Sequence, residues 1–269
     1  MGMVKLGSVM MIAGFGTSGV SYLIRMYISR TGGIEQVGLY SAAWAIISSY
    51  VGMVFTAMGT DYFPRLSAVN DNNLQIKKLV NQQAEIAILI LGPILILLLS
   101  ALPIVIRILL TPKFMPIIGL IQWALIGVFF KAASWSISFI ILAKGDSKYF
   151  FISEIAANII MLTSNVLLYH FFKLEGIGFA FLISYLLYLL LVFVIVHIKY
   201  SFSFSTSFIK LFLIQFALTV AASIVVWQIG FPKGYFSGAI LFWASTLYSY
   251  YEAKKRIDIN YILERIKGK

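Results

Sequence analysis

An all-α integral membrane fold with about eight transmembrane helices is what this sequence predicts, and two observations predict it. The first is composition: 61% of the 269 residues are hydrophobic and only 12% are charged, whereas a soluble domain is roughly half apolar and about a quarter charged. A mean hydropathy of +0.93 points the same way, so lipid must be the main solvent. The second is the succession of long apolar runs, punctuated by charge and by Gly/Pro clusters. A backbone exposed to lipid has to satisfy its own hydrogen bonds, which makes each run a helix.

The runs fall near Leu6–Ser29, Gln36–Phe63, Ala84–Leu110, Met115–Ala143, Tyr149–Phe172, Gly176–Ile198, Phe208–Ile229 and Tyr235–Tyr251. Each has the length to cross ~30 Å of hydrocarbon at ~1.5 Å per residue, some with tilt. The seventh and eighth are the weakest, interrupted by Gln215, Gln228 and the Gly230–Gly234 turn. The run after Lys5 continues too far, and carries Arg25, to read as a cleavable signal peptide. Pro93 and Pro103 are expected to bend the third run, and Pro64 closes the second. Small residues concentrate in the first two runs, among them Gly14, Gly16, Gly38 and Ala42, where they permit close helix packing.

Charge then sets orientation. Arg25, Arg107 and Lys131 lie within runs; of the other eighteen Lys and Arg, fourteen collect on one side and only Arg30, Lys113, Lys173 and Lys233 on the other. The positive-inside rule places the richer side, and both termini, in the cytoplasm. An even number of spans likewise requires both termini to lie on one side. The net charge of +11 therefore reports topology and lipid headgroups, with no nucleic-acid partner expected. Two cytoplasmic segments are amphipathic: Ile76, Leu79, Val80 and Gln83 beside Lys77 and Lys78, and the basic tail at residues 253–269, where Ile259, Ile262, Leu263 and Ile266 share a face.

Several function classes drop out. With no cysteine there are no disulfides, thiolate sites or cysteine nucleophiles. No phosphate-cradling glycine loop, paired-His metal spacing or Ser–His–Asp grouping is present, and His170 and His197 fall at opposite faces of the membrane. No enzyme activity, cofactor or metal is expected.

The intramembrane cations differ in depth. Arg25 and Arg107 lie four and three residues from the outer ends of their runs, roughly 6 and 5 Å at helical rise, within snorkelling reach of water. Lys131 lies sixteen residues from Met115 and twelve from Ala143, roughly 24 and 18 Å from either end, too deep to snorkel. A central lysine facing lipid costs about 2.5–3.5 kcal/mol, so it has to face protein or a water-filled cavity. Either a structural ion pair or an anionic substrate or coupling ion accounts for it. On the fifth run Asn158 reaches a similar depth, Asn165 continues its polar row, and Glu154, nearer the inner face, supplies one of few carboxylates inside any run.

The second run carries a pattern. Val37-Gly38-Leu39-Tyr40-Ser41-Ala42-Ala43, then Ala57 and Pro64-Arg65-Leu66-Ser67, resembles the G-x-Y-x-x-A…A…P-x-x-S signature of polysaccharide (O-antigen, Wzx-type) flippases in the multidrug/oligosaccharidyl-lipid/polysaccharide exporter superfamily. Leu91-Gly92-Pro93, Leu142-Ala143-Lys144-Gly145-Asp146-Ser147-Lys148 and Glu175-Gly176-Ile177-Gly178-Phe179-Ala180 resemble further punctuation of that family, in order. The resemblance implies one lobe of a two-lobe exporter plus two extra helices: a six-helix lobe at residues 1–199, the extra pair at 200–252, and the other lobe supplied by a missing first half or a homodimer mate. It implies an undecaprenyl-pyrophosphate-linked oligosaccharide as cargo, carried across a bacterial inner membrane for surface polysaccharide or lipopolysaccharide assembly, with H+ or Na+ as coupling ion. Lys131, Arg25, Arg107 and Asn158 would then line the substrate cavity, and Glu154 would couple to the ion. Rival readings are a multidrug/cation antiporter of the same superfamily, disfavoured by the excess of cations in the runs; a non-transporting membrane partner of glycan assembly; and a glycan polymerase, disfavoured by the short outer loops.

Overall fold

The computed structural model of the protein describes residues 2–229 and 233–256. In order, the chain forms α1 (Gly2–Ile47), a π-helical turn at Ser48–Gly52, α2 (Met53–Ser67), α3 (Asn73–Leu109), a 3₁₀ turn at Pro112–Phe114, α4 (Ile117–Ala143), α5 (Ser147–Tyr200), α6 (Thr206–Ile229) and α7 (Lys233–Arg256). The described residues contain no strand. Five helices among them are long and apolar enough to cross a membrane, and two of these are double-length: 58 residues from Met10 to Ser67 and 54 from Ser147 to Tyr200.

A straight helix of 54 residues would run roughly 80 Å, more than twice the hydrocarbon thickness, and both long helices reverse instead. α5 breaks at Lys173 (φ 51°, ψ −133°) and α1 at Gly33 (φ 81°, ψ 174°), a positive φ that glycine adopts without a Cβ penalty. Contacts bring residues on either side of the bend together: the Tyr200 hydroxyl donates to Asp146 at 2.9 Å, Lys199 also pairs with Asp146, and the Tyr188 hydroxyl donates to Glu154 at 3.0 Å. The two long helices are therefore four membrane-crossing limbs. With α3 and α4 they make six helical limbs up to Tyr200, followed by α6 and α7, of which α7 is not among the five apolar membrane-length helices of the described residues. The π-helical turn midway along the second limb has no counterpart in the sequence expectation.

α4 is the spine. Its most apolar window is 72% buried, against 22–56% for the other four, because α1, α2, α3, α5 and α6 all pack against it. One large apolar cluster draws on α1 to α6; a second gathers Tyr62, Leu66, Ile76, Val80, Ile141 and Val196 at the end where α2, α3, α4 and α5 meet. Polar ties close that end: the Tyr62 hydroxyl donates to the Ser136 carbonyl at 2.7 Å, Lys144 donates to the Asn70 carbonyl, and the Ser205 hydroxyl and Arg256 Nε donate to Glu85 at 3.0 and 2.7 Å. Lys144, Arg256 and the loops bearing Asn70 and Ser205 belong to the side that charge assigns to the cytoplasm. The opposite end brings together Gly32 with Tyr169 and Gly119 with Glu175.

The amphipathic segment Ile76–Gln83 opens the long helix α3. Asn72 caps α3 by accepting from the backbone N–H groups of Leu74 and Gln75, and Ile76, Val80 and Gln83 are buried in its first turns. Gln215, read as an interruption, is wholly buried and clamps α6 to α7. Its Nε2 donates to Ser249 Oγ at 2.7 Å, and its Oε1 accepts from Ser245 Oγ at 2.6 Å. The prolines of α3 sit inside a continuous 37-residue helix. The amphipathic tail residues Ile259, Ile262, Leu263 and Ile266 lie outside the described residues, as does most of the Gly230–Gly234 turn.

Candidate functional site

A cavity of about 690 Å3 opens between both limbs of α1, the middle of α4 and both limbs of α5. Its placement follows from the hairpins. The first limb contributes Thr17, Ser21 and Arg25, and the second returns past them with Tyr40, Trp44 and Ser48, at matching distances from Gly33. Ser48 begins the π-helical turn, a distortion that recurs at functional sites because it re-aims side chains within a helix.

Four of the five residues singled out from sequence line this one cavity: Arg25, Lys131, Glu154 and Asn158. Arg107 does not. It is exposed in the last turn of α3 and is not among the residues lining the cavity. Arg25 lies eight residues before the Gly33 bend, roughly 12 Å along the axis and deeper than its distance from Ser29 implied, because the first limb continues past Ser29. Asn158 packs on the first limb, its Nδ2 3.0 Å from where a Cβ on Gly16 would sit. Asn165 lines the cavity too but is turned inward, donating to the Met161 carbonyl at 2.8 Å.

Lys131 is half-buried, and among the described residues no carboxylate lies within 4.0 Å of it. Three rings surround its ammonium instead: Phe55 at 5.1 Å, Tyr185 at 5.5 Å and Phe181 at 5.9 Å from Nζ to ring centroid. The structural ion pair weighed from sequence is absent among those residues. A cation facing ring quadrupoles gains about 0.5–1 kcal/mol per contact when exposed and ~2 when desolvated, so the rings offset part of the burial cost without neutralising the charge. Glu154 has its own partner, the Tyr188 hydroxyl at 3.0 Å. Ser184, on the same face as Tyr188, is buried and its hydroxyl has no hydrogen-bond partner among the described residues.

Sequence reasoning did not find Phe55, Phe181, Tyr185, Tyr188 or Ser48. Aromatic residues make up 16% of the chain, so no ring stands out by type. The available signal was register: Phe181, Ser184, Tyr185 and Tyr188 repeat at i, i+3, i+4, i+7 and define one face of the part of α5 after Lys173, which, counting α3 and α4, is the sixth limb of the bundle. Together the site presents two cations, one hydrogen-bonded carboxylate, amide and hydroxyl donors and aromatic walls. That set accommodates an anion carried on an otherwise neutral polar group.

Residues 1–119 match the family described as "Polysaccharide biosynthesis protein". No curated protein sequence matches the chain significantly. Among solved structures, the fold is similar to the lipid II flippase MurJ in an inward closed conformation, with a TM-score of 0.68, 14% identity, and coverage of 97% of this chain and 53% of that one. It is also similar to an outward-facing multidrug resistance MATE family transporter of the MOP superfamily (TM-score 0.63, 16% identity, 84% of this chain and 54% of that one). A third similarity is to a MOP superfamily transporter from Pyrococcus furiosus, described as having a binding pocket of reverse polarity (TM-score 0.51, 17% identity, 84% of this chain and 53% of that one). The chain spans about half the length of each. The polysaccharide-family resemblance read from the sequence is thus borne out by the family match over residues 1–119, and the chain is a multi-pass membrane protein whose helical fold is that of about half of each of these solved structures.

Proposed function

We propose that the chain forms one lobe of a flippase that moves an undecaprenyl-pyrophosphate-linked oligosaccharide from the inner to the outer leaflet of a bacterial inner membrane, for O-antigen or related surface polysaccharide assembly. The observation that carries this is Lys131: a cation near the middle of α4, open to a cavity, with no carboxylate within 4.0 Å among the described residues. A pyrophosphate crossing the bilayer needs cations to replace its hydration, while the polyprenyl tail stays in lipid. Lys131 and Arg25 supply charge at two depths, and Asn158 and the cavity hydroxyls supply hydrogen bonds to sugar or phosphate. Glu154, reached from the inner side and held by Tyr188, is the site proposed for a coupling H+ or Na+. The other lobe, from a separate chain or a second copy of this one, would close the cavity across the open faces of α1 and α5.

A cation antiporter is the competing reading, favoured by Glu154. Against it stand two cations and one hydrogen-bonded carboxylate in the cavity, a balance that repels positively charged cargo. The test is export of lipid-linked oligosaccharide in cells carrying the complete system. Lys131→Ala, at unchanged membrane abundance, is expected to lower export by about 10- to 100-fold, the loss of one charge-assisted contact of roughly 1.5–3 kcal/mol. Lys131→Arg should retain part of it. Undiminished export by Lys131→Ala would sink the proposal.

A further inference from the structure

Opposite charges that share a small membrane cavity ought to collapse onto each other, because a pair attracts strongly where water is scarce. Lys131 and Glu154 line the same cavity and do not pair. The contacts between them show what keeps them apart. Glu154 accepts from the Tyr188 hydroxyl at 3.0 Å; the Tyr188 ring lies 6.5 Å from the Tyr185 ring; the Tyr185 ring lies 5.5 Å from Lys131 Nζ. Two tyrosines from one face of the sixth limb thus stand in the line of contacts from carboxylate to ammonium. Phe181 and Phe55 complete the enclosure of the ammonium at 5.9 and 5.1 Å, and both are themselves held. Trp44 lies 5.1 Å from Phe181, Trp135 lies 5.5 Å from Phe55, and Tyr185 lies 4.6 Å from Phe181.

From this we infer that Phe55, Phe181 and Tyr185 are positioning residues: they form an aromatic cage that is the resting partner of Lys131, keeping it out of an ion pair with Glu154 and leaving its charge for an incoming anion such as a pyrophosphate group. An aromatic partner suits that role where a carboxylate would not. Ring quadrupoles attract a cation within about 6 Å but carry no net charge, so the cavity stays electropositive. A carboxylate at the same place would cancel the field before the cargo arrived. The inference rests on the anionic-cargo reading above, but the cage itself is a separable claim.

Two measurements on the full-length chain in lipid nanodiscs test it. In the first, lysines are reductively methylated with 13C, which keeps their charge, and the Lys131 resonance is identified by its loss in Lys131→Arg. A caged ammonium shows methyl protons shifted upfield by the rings, and the shift falls in the double variant Phe55→Leu/Phe181→Leu. In the second, inorganic pyrophosphate is titrated calorimetrically. A triple variant that adds Tyr185→Leu should bind about tenfold more weakly, since an uncaged Lys131 pairs with Glu154, and adding Glu154→Gln should restore most of that loss. Mere damage to packing would not be repaired by removing a carboxylate. An unshifted Lys131 resonance, or weakened binding that Glu154→Gln fails to restore, would overturn the cage. A shifted resonance in a wild-type protein that ignores pyrophosphate would support the cage and overturn the anionic-cargo reading instead.

Discussion

Gly178→Ala is the most demanding test of how the fold sets the site. α4 and the sixth limb run side by side in the same direction: Glu175 lies at Gly119, Gly178 at Leu120 and Trp123, and Phe181 and Leu182 at Gly127. A Cβ on Gly178 would stand 2.3 Å from the Leu120 carbonyl oxygen and 2.9 Å from Trp123 Cβ, where ordinary contact begins at 3.4 Å. The obstacle is backbone, which has no rotamer to change, so the helices must part by about 1 Å. Overpacking of this kind costs about 1–3 kcal/mol, and membrane helices that rely on small residues for close approach have little else to offset it. The same displacement moves the Phe181–Tyr185 face away from Lys131, one turn beyond Gly127. SDS-induced unfolding of the purified protein should therefore shift by about 1–3 kcal/mol, with export falling at equal abundance. Gly59→Ala is the control, because its Cβ would meet only Trp135, at 3.5 Å. If Gly178→Ala unfolds like the wild type, the close approach of α4 and the sixth limb does not hold the cavity in shape.

Two further outcomes follow from the extra helices. Gln215→Leu removes the side-chain bonds to Ser245 and Ser249, and since interhelical bonds in membranes average ~0.6 kcal/mol and reach ~1.7, the loss should be about 1–3 kcal/mol, seen as faster hydrogen exchange in α7. At the inner end of α7, hydrogen bonds from Arg256 and then Lys255 hold the Glu252 carboxyl below the ordinary glutamate range. A depressed folded-state value contributes stability that is present above the unfolded value and is lost as pH falls through the folded one. Exchange in the last turn of α7 should accordingly rise on acidification below about pH 4.5, near the unperturbed glutamate value, and Glu252→Gln should abolish that dependence.

Much of this was legible in the chain and some was not, for reasons that lie in particular residues. Helix count and grouping of ends came from apolar length and from Lys and Arg placement, because the bilayer imposes both on any sequence that crosses it. The bends near Arg30–Gly33 and Lys173–Gly176 were visible as breaks between runs, though not that each joins its limbs through a single non-helical residue. Gln215 was misread because hydropathy registers a glutamine as polar whether it meets lipid or two serines on the next helix. The π-helical turn at Ser48–Gly52 left no mark, since its five residues are ordinary helix formers or small. The same limit applied to Lys131. Its depth could be counted along one helix, but its neighbours come from limbs far away in sequence, at Phe55 and at Phe181 and Tyr185.

That last gap alters what kind of charge Lys131 is. Sequence alone left two options for a deep lysine, an ion pair or a ligand, because a bare cation in hydrocarbon is too costly. The fold adds a third condition, in which rings lower the cost of burial and leave the charge uncancelled. It also explains why α4 has to be the most buried helix in the bundle. A cage drawn from two separate limbs holds its geometry only if the helix bearing the cation is fixed against both. The glycine seam with the sixth limb and the Trp135 contact with Phe55 supply those two attachments, one on each side of Lys131.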